Sequence, residues 1–86
     1  MMLLRASTHI EDGILVLRLN NHVITTDNEM FERELVKGDY VIEWFADGKP
    51  YTSFGITISS PSTAEFQLFR KLDSTGKDFG GFRFTV

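Results

Sequence analysis

The chain contains no cysteine. Disulfide scaffolds, thiolate metal sites and cysteine nucleophiles are excluded together, while the compartment stays open, because many secreted domains also lack the residue. Long apolar runs are missing as well. Met1-Met2-Leu3-Leu4 is cut short by Arg5; a secretory signal needs an apolar run of about seven residues and a membrane span about twenty, so neither is expected in the chain as given. If the chain is complete, a cytoplasmic protein is expected; if it is excised from a precursor, an extracellular one. Positive charge is in short supply: nine Lys and Arg against twelve Asp and Glu leave a formal charge of −3, which repels phosphate. Nucleic acid and membrane are therefore not expected partners.

Helical spacing is the remaining absence, and a period of two stands in its place, broken by Gly, Asp, Asn and Pro. Met2 to His9 runs to a Glu11-Asp12-Gly13 break, read as a hairpin link to Ile14–Leu19, where Leu15, Leu17 and Leu19 share one face. Asn20-Asn21 makes a turn because Asn tolerates positive φ, and His22 to Thr26 forms a short strand. Glu29 to Val36 is read as a strand rather than a helical turn capped by Asp27, since Phe31, Arg33 and Leu35 alternate with Glu32 and Glu34. After a Lys37-Gly38-Asp39 turn, Tyr40, Ile42, Trp44 and Ala46 oppose Val41, Glu43 and Phe45. Asp47-Gly48 is the strongest short-range hairpin signal in the chain. Phe54, Ile56 and Ile58 then share a face, with a bulge or close backbone contact expected at Gly55. Phe66, Leu68 and Leu72 form another inward face opposed by Gln67, Phe69 and Lys71, and Phe82, Phe84 and Val86 close the chain. Eighty-six residues make one domain, 1–86, large enough to fold without staples. The fold class is all-β, an antiparallel β-sandwich of about seven strands.

The closing stretch Lys77-Asp78-Phe79-Gly80-Gly81-Phe82-Arg83-Phe84 has the look of the base-stacking strand of RNA-recognition domains. It matches only by inserting Gly81, and one inserted residue moves every later side chain to the other face. Phe79 and Phe82 then cannot form that platform without a bulge, the two backing helices are missing and the net charge has the wrong sign, so the stretch is read as a core strand with a Gly-Gly bulge.

Thr26-Asp27-Asn28, Phe31, Leu35, Gly38, Tyr40, Ile42 and Asp47-Gly48-Lys49 together resemble a pattern of bacterial immunoglobulin-like and transthyretin-like sandwich modules, in which a Thr-Asp pair leads into an aromatic, a Leu, a Gly and a Tyr. The resemblance covers about residues 25–58. It implies a non-catalytic scaffold or recognition module, with Leu35 and Tyr40 plugging the core on either side of a reversal at Gly38.

Candidate chemistry is sparse. His9 and His22 are a conceivable metal pair across neighbouring strands, but no third ligand stands at a recognisable spacing, and no metal or cofactor is expected. Asp73 to Asp78 lacks the upstream glycine of a phosphate loop and the alternating carboxylates and closing Glu of an EF-hand, which favours a solvated turn; Asp27, Asn28 and Glu29 could join such carboxylates around calcium at a sandwich end. No Gly-x-Ser-x-Gly elbow is present, and catalysis is not expected. The surplus is aromatic, with eight Phe in so short a chain. Phe45, Tyr51 and Phe69 are either covered by the second sheet and loops or exposed as a flat patch. Exposed, they suit a protein partner or neighbouring domain better than a carbohydrate, whose platforms favour rings with a polar handle. The expected function is a protein-binding or structural module, with a carbohydrate-binding accessory module as the alternative.

Overall fold

The computed structural model describes residues 2–86, and all the strands predicted from alternation are present. They are β1 (Met2–Ile10), β2 (Gly13–Leu19), β3 (His22–Thr26), β4 (Met30–Leu35), β5 (Asp39–Gly48), β6 (Ser53–Ser60), β7 (Phe66–Lys71) and β8 (Lys77–Thr85), with a single 3₁₀ turn at Ser62–Ala64. Two four-stranded antiparallel sheets form, ordered β4-β1-β6-β7 (sheet A) and β3-β2-β5-β8 (sheet B). Packed face to face, they make a β-sandwich. Its extents of 40 × 19 × 18 Å put the long axis along the strands, since the ten residues of β5 span about 33 Å, so the sheets are aligned rather than crossed.

The sandwich closes because each strand carries one apolar face. Leu4, Ala6 and Ile10 of β1 and Phe54, Ile56 and Ile58 of β6 meet Leu15, Leu17 and Leu19 of β2 and Ile42 and Ala46 of β5, all buried. The two flanks are closed differently. Along the β7/β8 side a run of rings interlocks: Trp44 to Phe66 at 5.5 Å between centroids, Phe66 to Phe82 at 4.9 Å, Phe82 to Phe84 at 6.3 Å, and Tyr40 stacked on Phe84 at 5.4 Å. Along the β3/β4 side the seal is partly polar. The buried Thr8 hydroxyl donates to that of Thr25 at 3.2 Å, and the Arg33 guanidinium lies 5.7 Å over the Phe31 ring at the rim.

Two sequence expectations about connections fail for one reason. Glu11-Asp12-Gly13 and Asp47-Gly48 read as hairpins, yet β1 and β2 lie in opposite sheets, as do β5 and β6. Only β2–β3 and β6–β7 join neighbours within a sheet; the other five connections cross between sheets. Four of these, after β1, β3, β5 and β7, cluster at one end of the sandwich, where backbones come into direct contact. Gly13 pairs with Gly48, and the Gly48 N–H donates to the Gly76 carbonyl at 2.8 Å. A Cβ on Gly48 would stand 2.3 Å from the Asp12 carbonyl oxygen, and one on Gly76 would stand 2.3 Å from that of Gly48. These glycines serve the crossing of chains, not a hairpin turn. The turn that was correctly read is Asn20-Asn21, where both residues take positive φ (48° and 67°) between Leu19 and His22, as a two-residue hairpin demands.

The expected bulges move too. Pairing along β5–β8 runs without a shift through Gly80-Gly81, and Gly55 pairs regularly with both His9 and Phe69. Register shifts occur instead between Arg5 and Ala6 against β6, and between Leu17 and Arg18 against β3. Gly55 and Gly80 are small because rings cover them. The Phe69 ring comes within 3.2 Å of a Cβ placed on Gly55, and the Trp44 ring within 2.4 Å of one on Gly80.

Gly48→Ala is expected to cost roughly 2–4 kcal/mol in urea denaturation, because its new methyl strikes main chain that cannot retreat. Gly55→Ala, which meets only a surface ring at 3.2 Å, is expected to cost less than about 1 kcal/mol. Equal losses at the two positions would contradict a glycine-packed corner.

Candidate functional site

Strand alternation fixes which side chains reach the outer surfaces. On sheet B, Val16, Phe45 and Phe79 lie opposite one another across β2, β5 and β8 and form one transverse row. Phe45 is 45% exposed and Phe79 79%. The next row along the strands is Arg18, Glu43 and Gly81. Two shallow depressions adjoin here. One, of about 320 Å³, is lined by Val16, Arg18, Glu43, Trp44, Phe45, Phe79 and Gly80. The other, of about 360 Å³, is lined by Val41, Glu43, Phe79 to Phe82 and Arg83. Gly81 puts no side chain on this outer face, while the space beside Gly80, on the core side, is taken by the Trp44 ring. A third hollow, of about 390 Å³ on sheet A, is bordered by Thr57, Ile58, Ser59, Glu65, Phe66 and Gln67.

Under the glycine gap lies Trp44. Its ring fills the space over Gly80, and its indole nitrogen is buried without a hydrogen-bond partner among the described residues. Trp normally finds an acceptor when buried, so the aromatic contacts on this flank outweigh a desolvation penalty of about 1–3 kcal/mol.

The expected patch of Phe45, Tyr51 and Phe69 is exposed residue by residue but does not assemble. Phe45 belongs to the outer face of sheet B. Phe69, 73% exposed, lies over Gly55 on the outer face of sheet A, and Tyr51, 65% exposed, sits at positive φ (68°) in the β5–β6 crossover at the sandwich end. Consecutive strands that leave for different sheets carry their outward residues to opposite sides. The neighbour that Phe45 does have, Phe79, is legible in part: counting back by twos from Arg83 turns it outward. Its pairing with Phe45 depends on a contact between strands more than thirty residues apart.

Polar candidates resolve into stitching. His9 and His22 stand on β1 and β3, in different sheets, and His9 Nδ1 lies 2.6 Å from Asn28 Oδ1. No group of three or more His, Asp or Glu able to hold a metal occurs among the described residues. The Asp27–Glu29 trio spends its oxygens on the chain. Asp27 accepts the Leu15 N–H at 3.1 Å, and Glu29 accepts the Thr26 N–H at 2.5 Å and its hydroxyl at 3.0 Å. Asn28 accepts the Ile10 N–H at 3.2 Å and donates to the Ile10 carbonyl at 3.3 Å, so a side-chain amide continues the hydrogen bonding along this edge of β1 beyond its last pair with β4, Ser7–Met30. Asp73 caps its own turn, accepting from the Thr75 hydroxyl and from the Thr75 N–H at 2.9 Å.

Those hydrogen bonds set the carboxyl groups' acidity. The Thr26 N–H, then its hydroxyl, hold Glu29 below its ordinary value, and the Thr75 hydroxyl, then its N–H, do the same for Asp73. Comparison of the chain with family models, curated proteins and solved structures returns no match. The class defined by fold and surface is an all-β, two-sheet antiparallel sandwich with an aromatic row on one outer face.

A depressed carboxyl stabilises the fold above its unfolded value, and that contribution is lost as pH falls through the lower folded value. Carbon-detected NMR titration is therefore expected to place the Asp73 midpoint below that of free aspartate. Thr75→Val should move it upward. Asn28→Ala is expected to cost about 1–2 kcal/mol and to speed amide exchange at Ile10 selectively.

Proposed function

We propose that this protein is a non-catalytic binding module that contacts a protein partner, or a neighbouring domain, through the outer face of sheet B. The observation that carries the reading is the transverse row Val16–Phe45–Phe79. Two large rings stand in register and exposed beside a glycine gap, with Arg18, Glu43 and Arg83 around them. Aromatic anchors with a charged rim form the usual energetic centre of a protein interface. Phenylalanine lacks the polar handle that suits a sugar platform, which favours a protein over a carbohydrate. Of the two sandwich types that the sequence resembles, the immunoglobulin-like one pairs its first two strands in one sheet. Here β1 and β2 lie in opposite sheets, so the strand order departs from that arrangement.

The test is a Phe45→Ser chain, whose substitution lies on the surface and should shift stability by less than about 1 kcal/mol. Partners recovered by cross-linking the native protein should bind it at least about tenfold more weakly, as expected on loss of an interfacial anchor. Amide shift changes on binding should centre on residues 16, 43–45 and 79–83. Shift changes with a panel of polysaccharides instead of a protein would replace this reading by the carbohydrate one.

A further inference from the structure

Each sheet of the sandwich ends in two edge strands, and three of the four edges are guarded. β3 has five residues and an irregular register; β4 has six residues and carries Glu32, Arg33 and Glu34 in a row; β7 has six residues and closes with Arg70-Lys71. β8 is nine residues long, pairs without a shift, has no proline and carries two glycines at its middle. It is the open edge.

The ladder decides which groups that edge presents. Gly38 and Val86 exchange both backbone hydrogen bonds, at 3.1 and 2.9 Å, and pairing continues unshifted from Asp39–Thr85 to Asp47–Lys77. In an antiparallel ladder, bonded and non-bonded pairs alternate. Asp78, Gly80, Phe82 and Phe84 therefore bond to β5, while Phe79, Gly81, Arg83 and Thr85 turn their N–H and C=O groups outward. The Thr85 carbonyl accordingly accepts the Thr63 hydroxyl at 3.1 Å, which covers one end of the edge. No strand among the described residues pairs with the stretch from Phe79 to Arg83 on that side.

We propose that a second copy of this chain pairs antiparallel with β8 along this edge, centred on Gly81, so that each Phe79 lies opposite the partner's Arg83. Charge and register select this occupant and this alignment. The outward-bonding residues must face their like, which allows centres only on whole residues of the strand. Centring on Gly80 would set Lys77 opposite the partner's Arg83, a like-charge pair, and centring on Phe82 would use the Thr85 carbonyl already taken by Thr63. Centring on Gly81 has no like-charge pair, and although it brings Lys77 opposite the occupied Thr85, it leaves three pairs clear of that residue where the Phe82 centre leaves two. It also sets an arginine beside an exposed ring on each side of the two-fold axis. Gly81 meets Gly81 at the axis, and three bonded pairs supply about six hydrogen bonds. The two B sheets become one continuous sheet. This goes beyond the face contact proposed above, because the edge binds through the backbone groups of β8; the Phe79 and Arg83 side chains belong to both contacts, whereas Phe45 belongs to the face alone.

Sedimentation velocity over a concentration range reaching millimolar should show a monomer–dimer equilibrium. In deuterium exchange, Phe79, Gly81 and Arg83 amides should slow as concentration rises, while Gly80 and Phe82 stay protected throughout. Phe79→Lys sets like charges opposite at two places and should weaken the dimer by about tenfold or more. Adding Arg83→Glu to Phe79→Lys should restore it. Within one chain these positions are about 13 Å apart along the strand, too far to pair, so rescue reports contact between copies. Phe45→Ser should leave the dimer unchanged. A monomer at millimolar concentration, a Phe79→Lys dimer of unaltered strength, absence of rescue, or loss of the dimer with Phe45→Ser would each overturn the proposal.

Discussion

The fold depends on close backbone contact at one end of the sandwich. Four crossovers between sheets gather there, and the crossing chains at Gly13, Gly48 and Gly76 approach so closely that a methyl group on Gly48 or Gly76 would overlap a carbonyl oxygen. The contact lets the ends of β2, β5 and β8 lie side by side in sheet B while their connections leave for the other sheet. Each apolar strand face then buries against the opposite sheet, and the leucines of β2 meet the isoleucines and Phe54 of β6 across the core. Burial, at about 25 cal/mol per Å² of apolar surface, supplies the driving force.

From that geometry follows the inequality of the two flanks. The β7/β8 flank is filled by interlocking rings and tied at its rim by the Arg70–Asp78 ion pair at 3.2 Å. That pair is half exposed, so it adds little beyond orientation. The β3/β4 flank uses small and polar groups, Thr8, Thr25 and the Asp27–Glu29 loop, whose side chains replace missing ladder bonds one at a time. The aromatic flank leaves rings in excess of what the core holds. Phe82 and Phe84 point in, Phe79 points out, and the surplus ring arrives beside Phe45 on a sheet thinned by two glycines. An exposed aromatic face and an open edge thus arise from the same strand that completes the core.

Alternation along the chain specified which residues of each strand look inward: Leu15, Leu17 and Leu19; Ile42, Trp44 and Ala46; Phe54, Ile56 and Ile58; Phe82 and Phe84. It also specified the Asn20-Asn21 turn, because positive φ at two consecutive positions is a demand that few residues meet, and the same rule barred Phe79 and Phe82 from one platform. Tertiary structure alone decided which strand lies beside which. A glycine after an acid reads the same whether it turns a hairpin or lets two chains cross, since both need a residue without a side chain; Asp47-Gly48 and Asp12-Gly13 were of the second kind. Partners of Gly55 and Gly80, the separation of Phe45 from Phe69 and its union with Phe79 rest on pairings distant in sequence. Local chemistry determines the face of a strand, because side-chain direction is a property of the backbone at that residue; the neighbour of a strand is chosen by the whole sandwich, through which surfaces remain to be covered once the others have paired.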